Sequence, residues 1–235
     1  FIFGENVNFK FNNISGLKRI NGKTYPDLSM FIVKNEKDTI LSKPNLLQNL
    51  NNGTELNPLQ LRANFVAALP YENDEKYIVH INIKDRKSDR KFTYELPFTV
   101  VESDILEINE NGIDYSNIYL WNETLKEPVL NKNVSSKHQF ILILEGIKGL
   151  NETDEMVFPI FSIDIQDANE KSILSSPNIL DYEENGINSK NINEQLVAKI
   201  TFPQNQIDNP CRIIATVKDK NSSNKLKITA ELNVE

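Results

Sequence analysis

Apolar and polar residues alternate with a period of two along much of this chain. Val7, Phe9 and Phe11 share one face of a segment whose other face carries Asn8 and Lys10. Because successive side chains of an extended strand point to opposite faces, this pattern predicts a β-strand with one buried face. The same alternation predicts further strands, with these residues pointing inward: Leu61, Ala63, Phe65, Ala67 and Leu69; Tyr77, Val79, Ile81 and Ile83; Phe92, Tyr94, Leu96, Phe98 and Val100; Ile213, Ala215 and Val217; and Leu226, Ile228, Ala230, Leu232 and Val234. Since no helical stripe is sustained beyond about ten residues, we predict an all-β fold.

The chain contains an internal repeat. Shifting the sequence by 133 positions aligns residues 9–47 with residues 142–180 without a gap, and twelve of the 39 pairs are identical. One inserted residue then changes the offset to 134, at which Lys84-Asp85 aligns with Lys218-Asp219. The repeat therefore extends over a domain-sized stretch, which indicates a duplicated domain rather than a short solenoid unit.

The repeat and the density of short strands together predict two tandem Ig-like β-sandwich domains. The first domain is predicted over residues 1–102 and the second over residues 103–235, with the repeated core of the second at 139–235. Residues 103–138 have no counterpart in the first half, and we assign their strand candidates, 105–108 and 118–121, to the opening of the second domain. The equivalent strands of the first domain are expected before Phe1, so we interpret the chain as a fragment of a longer precursor.

Charge and composition narrow the classes of partner. The net charge is −7 and the pI is about 5.1, whereas nucleic-acid binding requires a basic surface. We therefore expect no nucleic-acid partner. No stretch approaches the roughly 20 apolar residues of a transmembrane helix, so we expect no membrane insertion by this fragment.

Residues suited to catalysis are scarce. The chain has one cysteine, Cys211, at the start of an apolar run, and two histidines, His80 and His138. No nucleophile elbow, phosphate-binding glycine loop or zinc-ligand spacing is present. We predict a protein without a cofactor that is not an enzyme. The alternative, a hydrolase of unknown substrate, predicts activity that substitution of one Asp or Glu would remove.

One acidic turn is a weak calcium candidate. Asp181, Glu183 and Asn185 have the spacing of the first ligands of an EF-hand loop. The twelfth position, where such a loop needs a bidentate glutamate, is Ile192. A second acidic segment, from Glu107 to Gly112, fails in the same way, and an ordinary acidic turn is the competing interpretation for both.

Tyr119 and Trp121 form the candidate ligand-binding pair. They are two residues apart in a predicted strand, so their rings share one face. Such a pair can stack on a sugar ring, whereas a strand that completes the sandwich core has the same pattern. Both interpretations remain open at this point.

The layout resembles the tandem Ig-like modules of bacterial cell-envelope and surface proteins. The resemblance rests on the repeated motifs Ile-x-Gly-Leu, aromatic-Pro and Ile-Leu-Ser-x-Pro-Asn-Leu/Ile-Leu, and on the Asn/Ile/Lys bias of the composition. It implies a non-catalytic binding or spacer module outside the cytoplasm, in the periplasm or on the cell surface, for example of a lipoprotein, with an unknown protein or glycan as partner. The alternative function is carbohydrate binding within a polysaccharide-handling system.

Overall fold

The computed structural model describes residues 1–69, 75–181, 183, 185–204 and 207–235. The chain divides into two compact units, Phe1–Val101 and Glu102–Glu235. Both units are built mainly of antiparallel strand pairs, and the predicted all-β class is confirmed. In the described part of the chain, helical structure amounts to a 3₁₀ turn at Gln48–Leu50 and an α-helix, α1, at Ser189–Glu194; neither could cross a membrane.

The first unit is a two-layer sandwich, in which the described residues form six strands. Its strands are β1 (Asn6–Ile14), β2 (Pro26–Lys34), β3 (Asp38–Lys43), β4 (Leu59–Val66), β5 (Tyr77–Asp85) and β6 (Lys91–Phe98). One sheet has the order β3-β2-β5-β6 and the other consists of β1 and β4. The core between the layers is formed by alternate residues, such as Leu28, Val79 and Phe65, as the period of two predicts.

The described residues of the second unit form twelve strands. They are β7 (Leu106–Asn111), β8 (Asn117–Asn122), β9 (Glu127–Pro128), β10 (Asn133–Val134), β11 (Gln139–Glu145), β12 (Met156–Val157), β13 (Pro159–Gln166), β14 (Ser172–Ser176), β15 (Ile187–Asn188), β16 (Leu196–Thr201), β17 (Cys211–Asp219) and β18 (Lys225–Val234). One layer has the order β10-β18-β17-β13-β14, with β7 also paired to β18. The other layer has the order β16-β11-β8-β9, and β12 pairs separately with β15.

The two units share an immunoglobulin-like arrangement. In the second unit β13, β17 and β18 take the places of strands C, F and G, and β11 and β16 take those of strands B and E. Strands β2, β5, β6, β1 and β4 have the same neighbours in the first unit. The registers also match, since Ile81 pairs with Tyr94 and its counterpart Ala215 pairs with Ile228.

A buried aspartate organises the same loop in both units. Asp219 accepts hydrogen bonds from the backbone N–H groups of Asn151 (3.0 Å) and Asn221 (3.1 Å) and from the Ser222 hydroxyl (2.6 Å). Asp85 accepts the equivalent bonds from Lys18, Lys87 and Ser88 at 2.7, 3.0 and 2.6 Å. Burial raises the pKa of each carboxyl group, but the hydrogen bonds outweigh burial and hold both pKa values below their usual range. The repeated Lys-Asp motif thus has a structural role.

The repeated glycine and aromatic residue also belong together. Gly186 has φ +84°, and a Cβ atom there would lie 2.9 Å from the Phe158 ring and 3.0 Å from the Val157 carbonyl oxygen. Gly53 has φ +77°, and a Cβ atom there would lie 2.8 Å from the ring of Tyr25. Only glycine fits this backbone conformation without strain, which explains why it recurs with the aromatic-Pro motif.

In the second unit, β7 belongs to one layer, where it pairs with β18, and β8 belongs to the other, where it pairs with β11. The segment from Glu107 to Asn111, a calcium candidate in the sequence, is β7 itself and pairs with β18. Residues 109–111 of this segment are therefore part of an edge strand with polar side chains and not of a turn. Strand β4 ends at Val66, so the predicted inward positions Ala67 and Leu69 lie beyond it.

Candidate functional site: the outer face of the second unit

Tyr119 and Trp121 lie on the outer face of the sheet β16-β11-β8-β9. They alternate along β8 with Ile118, Leu120 and Asn122, which are buried on the opposite face. Both rings are half-buried, and neither belongs to the core between the two layers. The structure therefore places the predicted pair together on one face, where their ligand-binding role stays a prediction.

Neighbouring strands extend this aromatic pair into a wider apolar surface. Trp121 lies opposite Ile141 of β11, and Tyr119 lies opposite Ile143, which in turn lies opposite Val197 of β16. Val197 is 42% exposed, Ile141 is half-buried and Ile143 is covered by its neighbours. We name these five residues, Tyr119, Trp121, Ile141, Ile143 and Val197, the outer patch.

Carboxylates hold the two aromatic side chains in place. The Tyr119 hydroxyl donates to Glu145 Oε1 (3.2 Å), and Trp121 Nε1 donates to Glu123 Oε2 (3.1 Å). Burial, followed by the Glu145 charge and its hydrogen bond, raises the pKa of Tyr119 to about 12. An ion pair with Lys126 lowers the pKa of Glu123. Two oriented aromatic rings with charged groups at the rim are therefore presented on one sheet face.

The fold itself does not require this patch. In the first unit the positions of Ile141 and Ile143 are occupied by Asn8 and Lys10, both exposed. Lys10 pairs with Arg62, whereas its counterpart Ile143 pairs with Val197. Because the same sandwich forms with polar residues on this face, the apolar character of the outer patch needs another explanation.

The calcium candidates lie in an exposed turn. Asp181, Glu183 and Asn185 are exposed, and Asp181 and Glu183 line a surface pocket of about 450 Å³ in which Lys220 also lies. Tyr182 and Glu184 of the same motif are outside the described residues. Within the described residues, no three His, Cys, Asp or Glu side chains are grouped closely enough to hold a metal ion.

The histidines make structural contacts. His80 stacks on Phe31 with ring centroids 4.5 Å apart, and its Nδ1 lies 3.0 Å from Glu95 Oε1. His138 Nδ1 lies 3.1 Å from Asn122 Nδ2, and the Asn122 side chain also caps the turn that follows β8.

Cys211 is buried at the start of β17. Burial, together with the charge of Asp167, raises the pKa of its thiol to about 11. A raised pKa keeps the thiol protonated at neutral pH, and the nucleophilic form of cysteine is the thiolate.

Sequence reasoning identified the aromatic half of the outer patch and missed the aliphatic half. Residues 140–144, Phe-Ile-Leu-Ile-Leu, break the alternation with a continuous apolar run, which signals a strand covered on both faces. Ile141 and Ile143 were thereby recognisable. Val197 was not, because an isolated valine in an alternating strand is ordinary.

Comparisons with known proteins identify no family. No protein-family model matches the chain, and no curated protein matches it. One similar solved structure is the ICAM-5 D1–D4 ectodomain fragment, at 9% identity and a TM-score of 0.24. The match covers 99% of this chain and 50% of that one, so the chain spans about half the length of the structure it matches. At this TM-score the similarity carries no argument.

Proposed function

We propose that this chain is a non-catalytic binding module that works outside the cytoplasm, as part of a bacterial envelope or secreted protein. The observation that carries the proposal is the outer patch, an apolar surface at positions where the sister unit has Asn8, Lys10 and Arg62. Apolar surface retained on an exposed sheet face is typical of contact sites. The primary ligand proposed is another protein, since aliphatic side chains continue the patch beyond the aromatic pair.

The shifted pKa values of Asp85, Asp219 and Cys211 have structural causes, which supports a role without catalysis. The lowered pKa values of Asp85 and Asp219 arise from loop hydrogen bonds. The raised pKa of Cys211 arises mainly from burial. Catalytic sites instead bring shifted groups together around a cleft. The hydrolase alternative predicts turnover of generic esters, peptides or glycosides that an Asp or Glu substitution removes.

Site-specific photocrosslinking tests the protein-binding proposal. The full chain is produced in cells of its source with Val197→p-benzoylphenylalanine, and a matched variant carries the probe at Leu125, which is 51% exposed in the same unit. We expect a discrete crosslinked species from position 197 that Trp121→Ala removes, and none from position 125. Equal products from both positions, or none from either, would overturn the proposal. Cell fractionation tests the location, and recovery only in the cytoplasm would contradict it.

Carbohydrate recognition is the second candidate, favoured by the Tyr119 and Trp121 rings beside the carboxylates of Glu123 and Glu145. Aromatic rings with a few polar groups are suited to binding a sugar face. Trp121 is the only tryptophan, so its fluorescence reports directly on this site. A glycan array identifies the sugars that bind the chain, and each is then titrated while the emission of Trp121 is recorded. Emission that none of these sugars changes would eliminate carbohydrate recognition at this site.

A further inference from the structure

The surface pocket beside Asp181 in the second unit combines charged and apolar walls. Asp181, Glu183 and Lys220 line it, and its volume is about 450 Å³. Phe158 and Leu180 add an aromatic ring and an aliphatic side chain to the lining. We name the site lined by these five residues the loop pocket. A concave site that brings a few charged groups beside an apolar wall is suited to binding a small polar ligand or side chain.

The first unit contains the equivalent loop, held by the same backbone hydrogen bonds. The Arg86 N–H group donates to the Tyr25 carbonyl oxygen, and the Lys220 N–H group donates to the Phe158 carbonyl oxygen, both at 2.9 Å. In each unit the N–H group of the repeated glycine donates to the carbonyl oxygen three residues earlier, at 2.9 and 3.0 Å. The residues of the loop pocket therefore have these counterparts in the first unit: Tyr25 for Phe158, Leu47 for Leu180, Gln48 for Asp181, Leu50 for Glu183 and Arg86 for Lys220.

A guanidinium group of the chain itself lies against this loop in the first unit. Arg86 Nη2 donates to the Leu50 carbonyl oxygen at 2.7 Å, and Arg86 Cζ lies 5.9 Å from the centre of the Tyr25 ring. Among the described residues, none is a hydrogen-bond or ion-pair partner of the Lys220 side chain. An ammonium group lacks the planar fork of donors with which a guanidinium group makes such contacts. The second unit thus keeps the loop and lacks the group that contacts it in the first.

The charge of the loop is reversed between the two units. Positions 48, 50, 86 and 87 of the first unit carry a formal charge of +2, from Arg86 and Lys87. The equivalent positions 181, 183, 220 and 221 of the second unit carry a formal charge of −1, from Asp181, Glu183 and Lys220. A concave surface lined by negative charge attracts cations. The unit that lacks its own guanidinium group is therefore the one whose loop favours a cation.

We propose that the loop pocket binds a guanidinium group from outside the chain, supplied by free arginine or by an arginine side chain of a partner polypeptide. The group would lie beside the Phe158 ring and donate to the Glu183 carbonyl oxygen, as Arg86 does at the equivalent positions of the first unit. The carboxylates of Asp181 and Glu183 would accept its remaining donors, since guanidinium and carboxylate groups form charge-assisted pairs. The Lys220 side chain is exposed and can turn into solvent without losing a partner.

The loop pocket and the outer patch are formed by different residues, so the two proposals can fail independently. The outer patch lies on β8, β11 and β16, whereas the loop pocket is lined by residues before β13, between β14 and β15, and after β17. A ligand that enters the loop pocket therefore requires none of the residues that define the outer patch.

NMR titration of the ¹⁵N-labelled full chain with the blocked peptide acetyl-Gly-Arg-Gly-amide tests the proposal. We expect saturable shifts of the amide signals of Glu183, Gly186 and Lys220. Asp181→Asn combined with Glu183→Gln should weaken binding about fivefold, because exposed ion pairs contribute modestly. The matched peptide with lysine in place of arginine should bind more weakly, because its ammonium group lacks the planar fork. A parallel titration with L-arginine distinguishes the sources, since the tighter of the two ligands indicates a free amino acid or a polypeptide.

Lys220→Arg is the sharpest variant, because it keeps the charge and supplies within the chain the group that the second unit lacks. We expect it to abolish binding of the arginine peptide, since a tethered guanidinium group competes at a high effective concentration. Lys227→Arg, the same change at an exposed position of β18, should leave binding unchanged. Binding that Lys220→Arg does not alter would overturn the proposal. So would equal binding of the arginine and lysine peptides, or no binding of either the arginine peptide or L-arginine.

Discussion

The inner face of β18 is covered in the second unit, whereas the equivalent face of β6 in the first unit carries two partly exposed aromatic rings. The strands themselves correspond closely in neighbours and register. The units differ again on the outer face, where Ile143 in one replaces Lys10 in the other. The comparison teaches that the central strands set the fold, whereas the residues on the outer face can differ in polarity without changing it.

The largest expected effect comes from the covered strand. Ile228→Ala should lower the free energy of unfolding of the second unit by about 3 kcal/mol, since it leaves a cavity under β7. Urea unfolding followed by Trp121 fluorescence measures it. The counterpart Tyr94→Ala should cost about 1 kcal/mol in the first unit, because its ring is already partly solvated. Hydrogen exchange of β5 measures the loss in the first unit. Equal losses of stability in the two variants would contradict the claim that Ile228 is covered and Tyr94 is not.

The repeated aspartate predicts a loss shared by both units. Asp219→Asn should cost about 2 kcal/mol, because charge-assisted hydrogen bonds from two amides and a hydroxyl are weakened. Asp85→Asn should cost a similar amount in the first unit. Urea unfolding measures the loss in Asp219→Asn, and hydrogen exchange of β5 measures the loss in Asp85→Asn. A loss of stability in only one of the two units would show that the loops are not equivalent.

The same aspartates predict how stability depends on pH. Because the folded state holds the pKa of Asp219 below that of the unfolded chain, its contribution is complete above the unfolded value of about 4. The contribution is lost as pH falls through the lower folded pKa. Urea unfolding at pH 7 and at pH 3 should therefore show a difference between the original chain and Asp219→Asn that shrinks at pH 3. A difference that grows on acidification would contradict this sign.

The glycine and aromatic pair predicts a smaller effect. Gly186→Ala should cost about 1.5 kcal/mol, since it combines a positive φ with a contact against the Phe158 ring. Gly22→Ala is the matched control, with φ +80° and open space around the added methyl group, and should cost about 1 kcal/mol. Urea unfolding of the second unit measures the loss of stability in Gly186→Ala, and hydrogen exchange of the first unit measures the loss in Gly22→Ala.

The smallest expected effect is on the outer patch. Val197→Arg introduces the residue type that Arg62 provides in the first unit, and it should change stability by less than about 0.5 kcal/mol because the position is exposed. With the photocrosslinking probe placed at Ile141 instead of position 197, the same change should abolish the crosslinked species. In the fluorescence titration it should abolish glycan binding. A large loss of stability would mean that the patch supports the fold.

The period of two was sufficient to predict which residues of most strands face inward, because one buried face leaves a clear mark in a sequence. It could not reveal that Phe92 and Tyr94, although inward, are exposed, since their exposure depends on a strand beside β6. The sequence also did not decide whether Tyr119 faces the core, because both sets of alternating residues in this strand, Tyr119 with Trp121 and Ile118 with Leu120, are apolar enough to be buried. Strand β7 continues to Asn111, beyond the predicted strand at 105–108, and the sequence did not show this because an edge strand with polar side chains has the composition of a loop.

Hydrogen exchange of β6 and β18 in the unbound chain tests most directly the claim that one sandwich was used twice and that β7 protects β18 in the second unit. The account predicts that amides of Lys225–Val234 exchange on the order of 100-fold more slowly than those of Lys91–Phe98, which pair only with β5 among the described strands. Equal protection of the two strands would contradict it.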